Sequence, residues 1–343
     1  MGITLLALSG PALAADPYPT RPVRVIVGFA VGGPTDVLAR VTTQWLGDRL
    51  GQQFIVDNRT GAGGNIATEA VVKAPPDGYT ILVIVTANVI NPSLFPNLPF
   101  NFLRDITGVA GLARISYVVA VHPGLPIRTI TELIAHANAN AGKITFASGG
   151  IGSSSHLSTE IFKGMTGTDL VHVPYKGNAA AYADLIGGRV SMILVDRLSA
   201  MPHIQSGALR AVGVTSTNRF EAMPDVPSVA ETVPDYEASA FYGFGVPRGT
   251  PIEIINRLNT AINAGHRDAN IRIRFAELDA VSIIATPGEF NAFMATEAGR
   301  WRKPSRRPER RRGSDGEDAS PNLDRIVLTP IPRQGDVPVL WKR

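Results

Sequence analysis

At 343 residues, 44% of them hydrophobic, the chain has the length for about two domains with cores of their own. It holds no cysteine, which excludes disulfides, thiolate nucleophiles and cysteine-ligated zinc, and its six histidines lack metal-ligand spacing. The formal net charge is +4, but eleven Lys/Arg against six Asp/Glu fall in residues 301–343, so residues 1–300 are near neutral and no nucleic-acid surface is expected.

Residues 1–15 are a short apolar stretch ending in the small residues Ala12-Leu13-Ala14. They read as the apolar region and cleavage site of a secretory signal that lacks its positive start. Cleavage after Ala14 or Ala15 gives a mature chain beginning near Asp16. No other stretch approaches the ~18 apolar residues of a membrane span, so a soluble mature protein is expected.

Val23, Val25 and Val27 predict a buried strand. Gly32-Gly33 breaks it, and Pro34 suits the first turn of a helix in which Leu38, Val41 and Trp45 recur at helical spacing before Gly51 stops the run. A strand, a glycine turn and a helix start aim several backbone N–H groups at one spot, which suits an anion; an ordinary strand-to-helix turn is the alternative. Asp36, in the first turn, gains about 0.3–1 kcal/mol from the helix dipole without any function. It is also placed to accept from an ordered water or a ligand amine.

A second strand is predicted over 53–57, then the glycine-rich loop 58–65 and a helix through Ile66, Ala70, Val71 and Ala74, closed by Pro75-Pro76-Asp77-Gly78. Residues 79–85 are a continuous apolar strand of the kind buried on both faces of a parallel sheet. Thr86, Ala87 and Asn88 stand at its C-terminal edge, and Asn91-Pro92-Ser93 is expected to open a short helix.

Further strands are predicted over 117–121, 144–147, 170–173, 191–195 and 209–214. Thr129 and Glu132 form a capping box for a helix running to Gly142. Residues 148–156 make a second Gly/Ser turn into a helix, and Pro174-Tyr175-Lys176-Gly177-Asn178 leads into a third, over 179–186. Asp196 ends a strand, where it can order a loop or a water, and a short helix follows over 199–205. Residues 220–236, rich in proline and acids, read as a linker, and 241–246 returns as a strand. Thr250 with Glu253 and Thr286 with Glu289 are two further capping boxes. Strand and helix alternate throughout, the mark of α/β architecture with parallel sheets. The linker and the returning strand imply that the chain leaves a first domain, builds a second and crosses back. From Lys303 periodicity ends, and 304–318 is expected to be disordered.

The ordered set Tyr18–Val27, Gly32-Gly33-Pro34-Thr35-Asp36, Arg59–Asn65, Pro76–Tyr79, Asn91–Leu94, Gly152–His156, Val173–Gly177 and Asp225–Ser228 resembles the Bug family, the periplasmic solute receptors of tripartite tricarboxylate transporters. The resemblance covers about residues 16–302. It implies a type II periplasmic binding protein: two α/β lobes, 16–115 plus 238–302 and 116–237, joined by crossing strands around a ligand cleft. It further implies a monomer that takes a small carboxylate (di- or tricarboxylate, aromatic acid or acidic amino acid) by lobe closure and hands it to membrane permease subunits, with no cofactor, metal or covalent chemistry. A loaded receptor docking on a sensor kinase is the alternative. Ligands of open α/β sheets sit beyond the carboxyl ends of the strands, so the turns 29–36, 86–88, 152–156 and 174–178 are expected to meet there.

The ligand contacts expected are Phe29, Ala30, Gly32, Gly33, Thr35 and Asp36 from the first turn and Thr86, Ala87 and Asn88 from the second. Ser153, Ser154, Ser155, His156, Tyr175, Lys176, Gly177 and Asp196 complete the set. The Ser/His run invites a hydrolase reading, but there is no GxSxG elbow, and adjacent residues at one helix start seldom have triad geometry. Serine is a favoured N-cap. The chain departs from the family at its end, where an arginine-rich tail (303–343) replaces the helical turns expected after Trp301; a frameshift is the simplest explanation.

Overall fold

The computed structural model describes residues 18–95 and 97–300; the expected signal sequence and the tail from 303 lie outside them. β1 (Val23–Val27) buries every residue but Arg24, and Gly33 ends the turn into α1 (Pro34–Leu50), which Gly51 closes in a left-handed cap. β2 (Phe54–Asn58), α2 (Asn65–Val72), β3 (Thr80–Val85), α3 (Thr86–Leu94), α4 (Phe102–Asp105) and β4 (Ile106–Ser116) follow. The chain then builds β5 (Val118–Val121), α5 (Ile130–Ala139), β6 (Ile144–Ser148), α6 (Ser154–Thr166), β7 (Leu170–Pro174), α7 (Tyr182–Ile186), β8 (Met192–Val195), α8 (Arg197–Gln205) and β9 (Arg210–Val214). It finishes with β10 (Ser239–Pro247), α9 (Ile252–Gly265), α10 (Ala269–Glu277), β11 (Ala280–Ser282) and α11 (Pro287–Arg300).

These strands form two sheets, one of six strands ordered β11-β4-β10-β3-β1-β2 and one of five ordered β7-β6-β8-β5-β9. Both are mixed rather than wholly parallel. β1 pairs β2 and β3 in parallel, and β6 pairs β7 and β8 likewise, but β10 runs antiparallel to β3 and β4, and β5 antiparallel to β8 and β9. The antiparallel strands are those on which the chain crosses from one sheet to the other.

The two crossings are stitched together at one place. Tyr117 links β4 to β5; its N–H donates to Thr215 Oγ1 at 2.7 Å, and Thr215 N–H donates back to Tyr117 O at 2.8 Å. Thr215 Oγ1 in turn donates to Ala238 O at 2.6 Å, just before β10. One buried threonine thus ties the outgoing and returning chain.

Several sequence expectations need correction. The 220–236 stretch is no bare linker: Phe220, Met223, Val229, Val233 and Tyr236 are buried. α3 begins at Thr86 and carries Pro92 inside it, not at its start. The capping box at Thr250 does not form, because Thr250 Oγ1 donates to Pro247 O at 2.8 Å and Pro251 occupies the N-cap. The boxes at Thr129 and Thr286 do form. β4 went unpredicted because its glycines are spaces for other side chains: a methyl at Gly111 would lie 2.2 Å from Ile283 and one at Gly108 2.6 Å from Met294.

Candidate functional site

The carboxyl ends of β1, β2, β3, β6, β7 and β8 deliver turns to the space between the sheets, and those after β1, β2, β6 and β7, with α3 after β3, approach one another closely. A methyl at Gly177 would stand 3.4 Å from Ala30 Cβ, and one at Gly63 only 3.0 Å from Ile151 O. Another at Gly152 would meet Asn91 Oδ1 at 2.9 Å. The chain is therefore captured with its two halves close together, and glycine is what lets the backbones approach.

On the first sheet, α1 starts at Gly33 with no side chain capping its N–H groups, and Pro34 removes one orphan donor. An incoming oxygen is the partner such a start lacks. Asp36 does not supply it, nor is it free for a ligand. Its Oδ2 accepts from Gly32 N–H (3.0 Å) and Arg40 Nε (2.9 Å), and its Oδ1 from Asn58 Nδ2 (2.9 Å), which also donates to Phe29 O at 3.0 Å. The buried carboxylate is a strut for the loop 29–32. Burial works to raise its pKa, but the bonds from Arg40, Gly32 and Asn58 outweigh burial and hold it below the usual range.

Thr86, Ala87 and Asn88 are likewise buried, and their polar side chains are committed. Thr86 Oγ1 accepts from Phe241 N–H at 2.8 Å; Asn88 Oδ1 accepts from Val85 N–H at 2.7 Å, and its Nδ2 donates to Thr68 Oγ1 at 2.9 Å. These side chains fix the start of α3 against β10 and α2.

On the second sheet, Ser153 caps α6 by accepting from His156 N–H. Ser155 Oγ accepts from Gly149 N–H at 3.1 Å and lies 3.2 Å from Asn178 Oδ1, which joins the turns after β6 and β7. His156 is fully buried; its Nδ1 accepts from Gly152 N–H at 3.1 Å, and its ring stacks on His172 at 3.9 Å. Burial first, then the charge of His172 and Lys163, pushes His156 down to about 3, and burial pushes His172 down to about 4. Both rings are neutral. His156 Nδ1 is engaged with the backbone, and its buried Nε2 has no partner among the described residues. Ser148 Oγ lies 2.6 Å from His172 Nε2, but Ser148 is fully buried and its hydroxyl is also engaged with Gly150, accepting from its N–H at 3.1 Å.

Tyr175 donates its hydroxyl to Asp184 at 2.7 Å, while Lys176 is exposed. Asp196 is the buried N-cap of α8: its Oδ1 accepts from Ser199 N–H and Oγ, each at 2.9 Å. Burial raises its pKa, against the Ser199 bonds. Of the expected set, the backbones of 29–35, the start of α6 and Gly177 are brought together. Asp36, Asn88, Tyr175 and Asp196 serve mainly as struts and caps.

Two residues absent from the sequence expectation sit at the centre. Tyr117 and Tyr242 lie on the crossing segments, both buried. Burial keeps both phenols protonated well above neutral pH. Each stands inside a predicted strand, and apolar periodicity cannot tell a core tyrosine from one lining a cleft.

Comparison with known proteins gives consistent matches. The family described as "Tripartite tricarboxylate transporter family receptor" matches residues 38–304. Protein BugT of Bordetella pertussis is 38% identical over 292 residues, 84% of this chain and 90% of its own length. Among solved structures, R. palustris Rpa4515 with adipate has a TM-score of 0.79 and 34% identity, covering 83% of this chain and 96% of that one. MatC from Rhodopseudomonas palustris with bound malate has a TM-score of 0.76 and 30% identity, covering 83% and 98%.

Proposed function

The chain belongs to the tripartite tricarboxylate transporter receptor family, and we propose that it captures a small carboxylate in the periplasm and delivers it to the permease subunits of such a transporter. The family is one of solute receptors, not enzymes. The ligand class proposed is a di- or tricarboxylate, an aromatic acid or an acidic amino acid, and the receptor acts as a monomer. Its lobes are 16–115 with 238–302, and 116–237.

One observation carries this reading: α1 starts without a side-chain cap just after a turn where Ala30 Cβ lies 3.4 Å from a methyl placed at Gly177, so turns from both sheets come into contact beside its free N–H groups. Backbone N–H groups there neutralise a carboxylate without a buried cation, each charge-assisted bond being worth roughly 1.5–3 kcal/mol. The side-chain cations near the first turn are already engaged, Arg40 with Asp36 and Arg59 with Asp57. The adipate and malate in two similar structures support an acid of that size. Contacts from both lobes are what make binding favour the closed state.

Isothermal titration with a panel of small carboxylates, adipate and malate included, tests the proposal. Saturable 1:1 binding by one acid, lost on esterification of its carboxylates, is expected. Equal affinity for the acid and its diester contradicts it.

A further inference from the structure

Arg197 opens α8 immediately after the buried cap Asp196, but its guanidinium reaches over to the other sheet's side of the molecule. There Nε binds the carboxylate of Asp279, and Nη2 donates to Ala276 O and Glu277 O, each at 3.3 Å. These carbonyls end α10, where the helix dipole attracts a cation. Both side chains are largely shielded, 16% and 19% exposed, so salt screens the pair less than a surface contact.

Asp279 also sits at φ +50°, a left-handed conformation that favours glycine. A residue with a side chain stands in this tight turn between α10 and β11, and that side chain is spent on Arg197. Ala280, next in the chain, pairs with Ile115 two residues before Tyr117. The contact therefore bridges α8, built on the five-stranded sheet, and the edge of the six-stranded sheet beside Tyr117.

We infer that Arg197 and Asp279 form an inter-lobe clasp that holds the ligand-free receptor toward its closed form, and so sets how tightly it captures its acid. Both are positioning residues; neither belongs to the turns that cradle the ligand. The inference rests on the receptor reading, because only a protein that opens and closes has a closed fraction to set. Apparent affinity scales with the fraction of molecules competent to bind.

Small-angle scattering of the ligand-free full chain, alone and as Asp279→Gly and Arg197→Gln, tests it. Both variants should have a larger radius of gyration, with the closed-to-open ratio lowered about tenfold, the change that loss of one charge-assisted contact brings. Asp279→Gly should unfold no earlier than the parent on heating, since glycine suits the +50° φ. A radius unchanged in both variants would overturn the clasp, as would a larger radius accompanied by early unfolding of Asp279→Gly. No ligand enters the measurement, so failure here is distinct from failure to bind a carboxylate.

Discussion

Asp36→Ala removes the strut that shapes the first ligand turn. Two of the bonds lost, from Gly32 N–H (3.0 Å) and Asn58 Nδ2 (2.9 Å), join a neutral donor to a buried charge. Bonds of that kind contribute about 1.5–3 kcal/mol each, and both donors here are partly reachable by water, so the low end applies. The Arg40 side chain is half exposed, and its pair adds no more than about 0.5 kcal/mol. The expected loss is therefore about 3 kcal/mol. Urea unfolding followed by tryptophan fluorescence should show a lower midpoint at an unchanged slope. The sign of the pH dependence is fixed as well. The carboxyl is held below its unfolded pKa of about 3.9, so its contribution is complete above that value and is lost as pH falls through the lower folded value. Parent and variant should converge in acid. A loss under about 0.5 kcal/mol at pH 7, or a gap that persists undiminished in acid, would refute the strut.

The two stacked histidines make a second prediction: with folded values of about 3 and 4 against about 6.5 unfolded, the unfolded chain binds more protons below pH 6.5. Stability should fall with pH there, by up to about 1.4 kcal/mol per pH unit for each ring, and His156→Phe should flatten that slope in urea titrations between pH 6 and 4. Gly243→Ala places a methyl 2.2 Å from the Phe290 ring and 2.7 Å from Ala110 O on a crossing strand. Overpacking of this kind costs about 1–3 kcal/mol, read as a lower melting temperature. Ser155→Ala unties Gly149 from the Asn178 turn and should cost about 1 kcal/mol of stability. It should also weaken titrated acid binding, since the second ligand turn loses its brace.

The strands and their buried faces were legible because β-branched runs such as 23–27 and 79–85 have no other stable use than a sheet interior. The helix starts were legible from Pro34, Thr129 and Thr286, where local chemistry alone decides the cap. Less was visible where one segment answers to another far away. Gly108 and Gly111 look like strand breakers until Met294 and Ile283 are seen to fill them. Thr250 reads as a cap, yet its hydroxyl is taken by the strand before it. Asp36 and Asp196 read as cleft acids for their position at strand and helix ends, and position alone does not reveal that Asn58 or Ser199 already holds them. The crossing tyrosines, and the pairing of Arg197 with Asp279 across 82 residues of sequence, depend wholly on tertiary placement.

Native mass spectrometry of the chain purified from its own host tests most directly whether the cleft holds a small carboxylate. One small acid bound per chain, released on unfolding and retained by Asp184→Asn but lost when the first turn is disrupted by Asp36→Ala, is the expected result. A ligand that carries no carboxylate, or one whose retention is indifferent to Asp36→Ala, would contradict capture between the starts of α1 and α6.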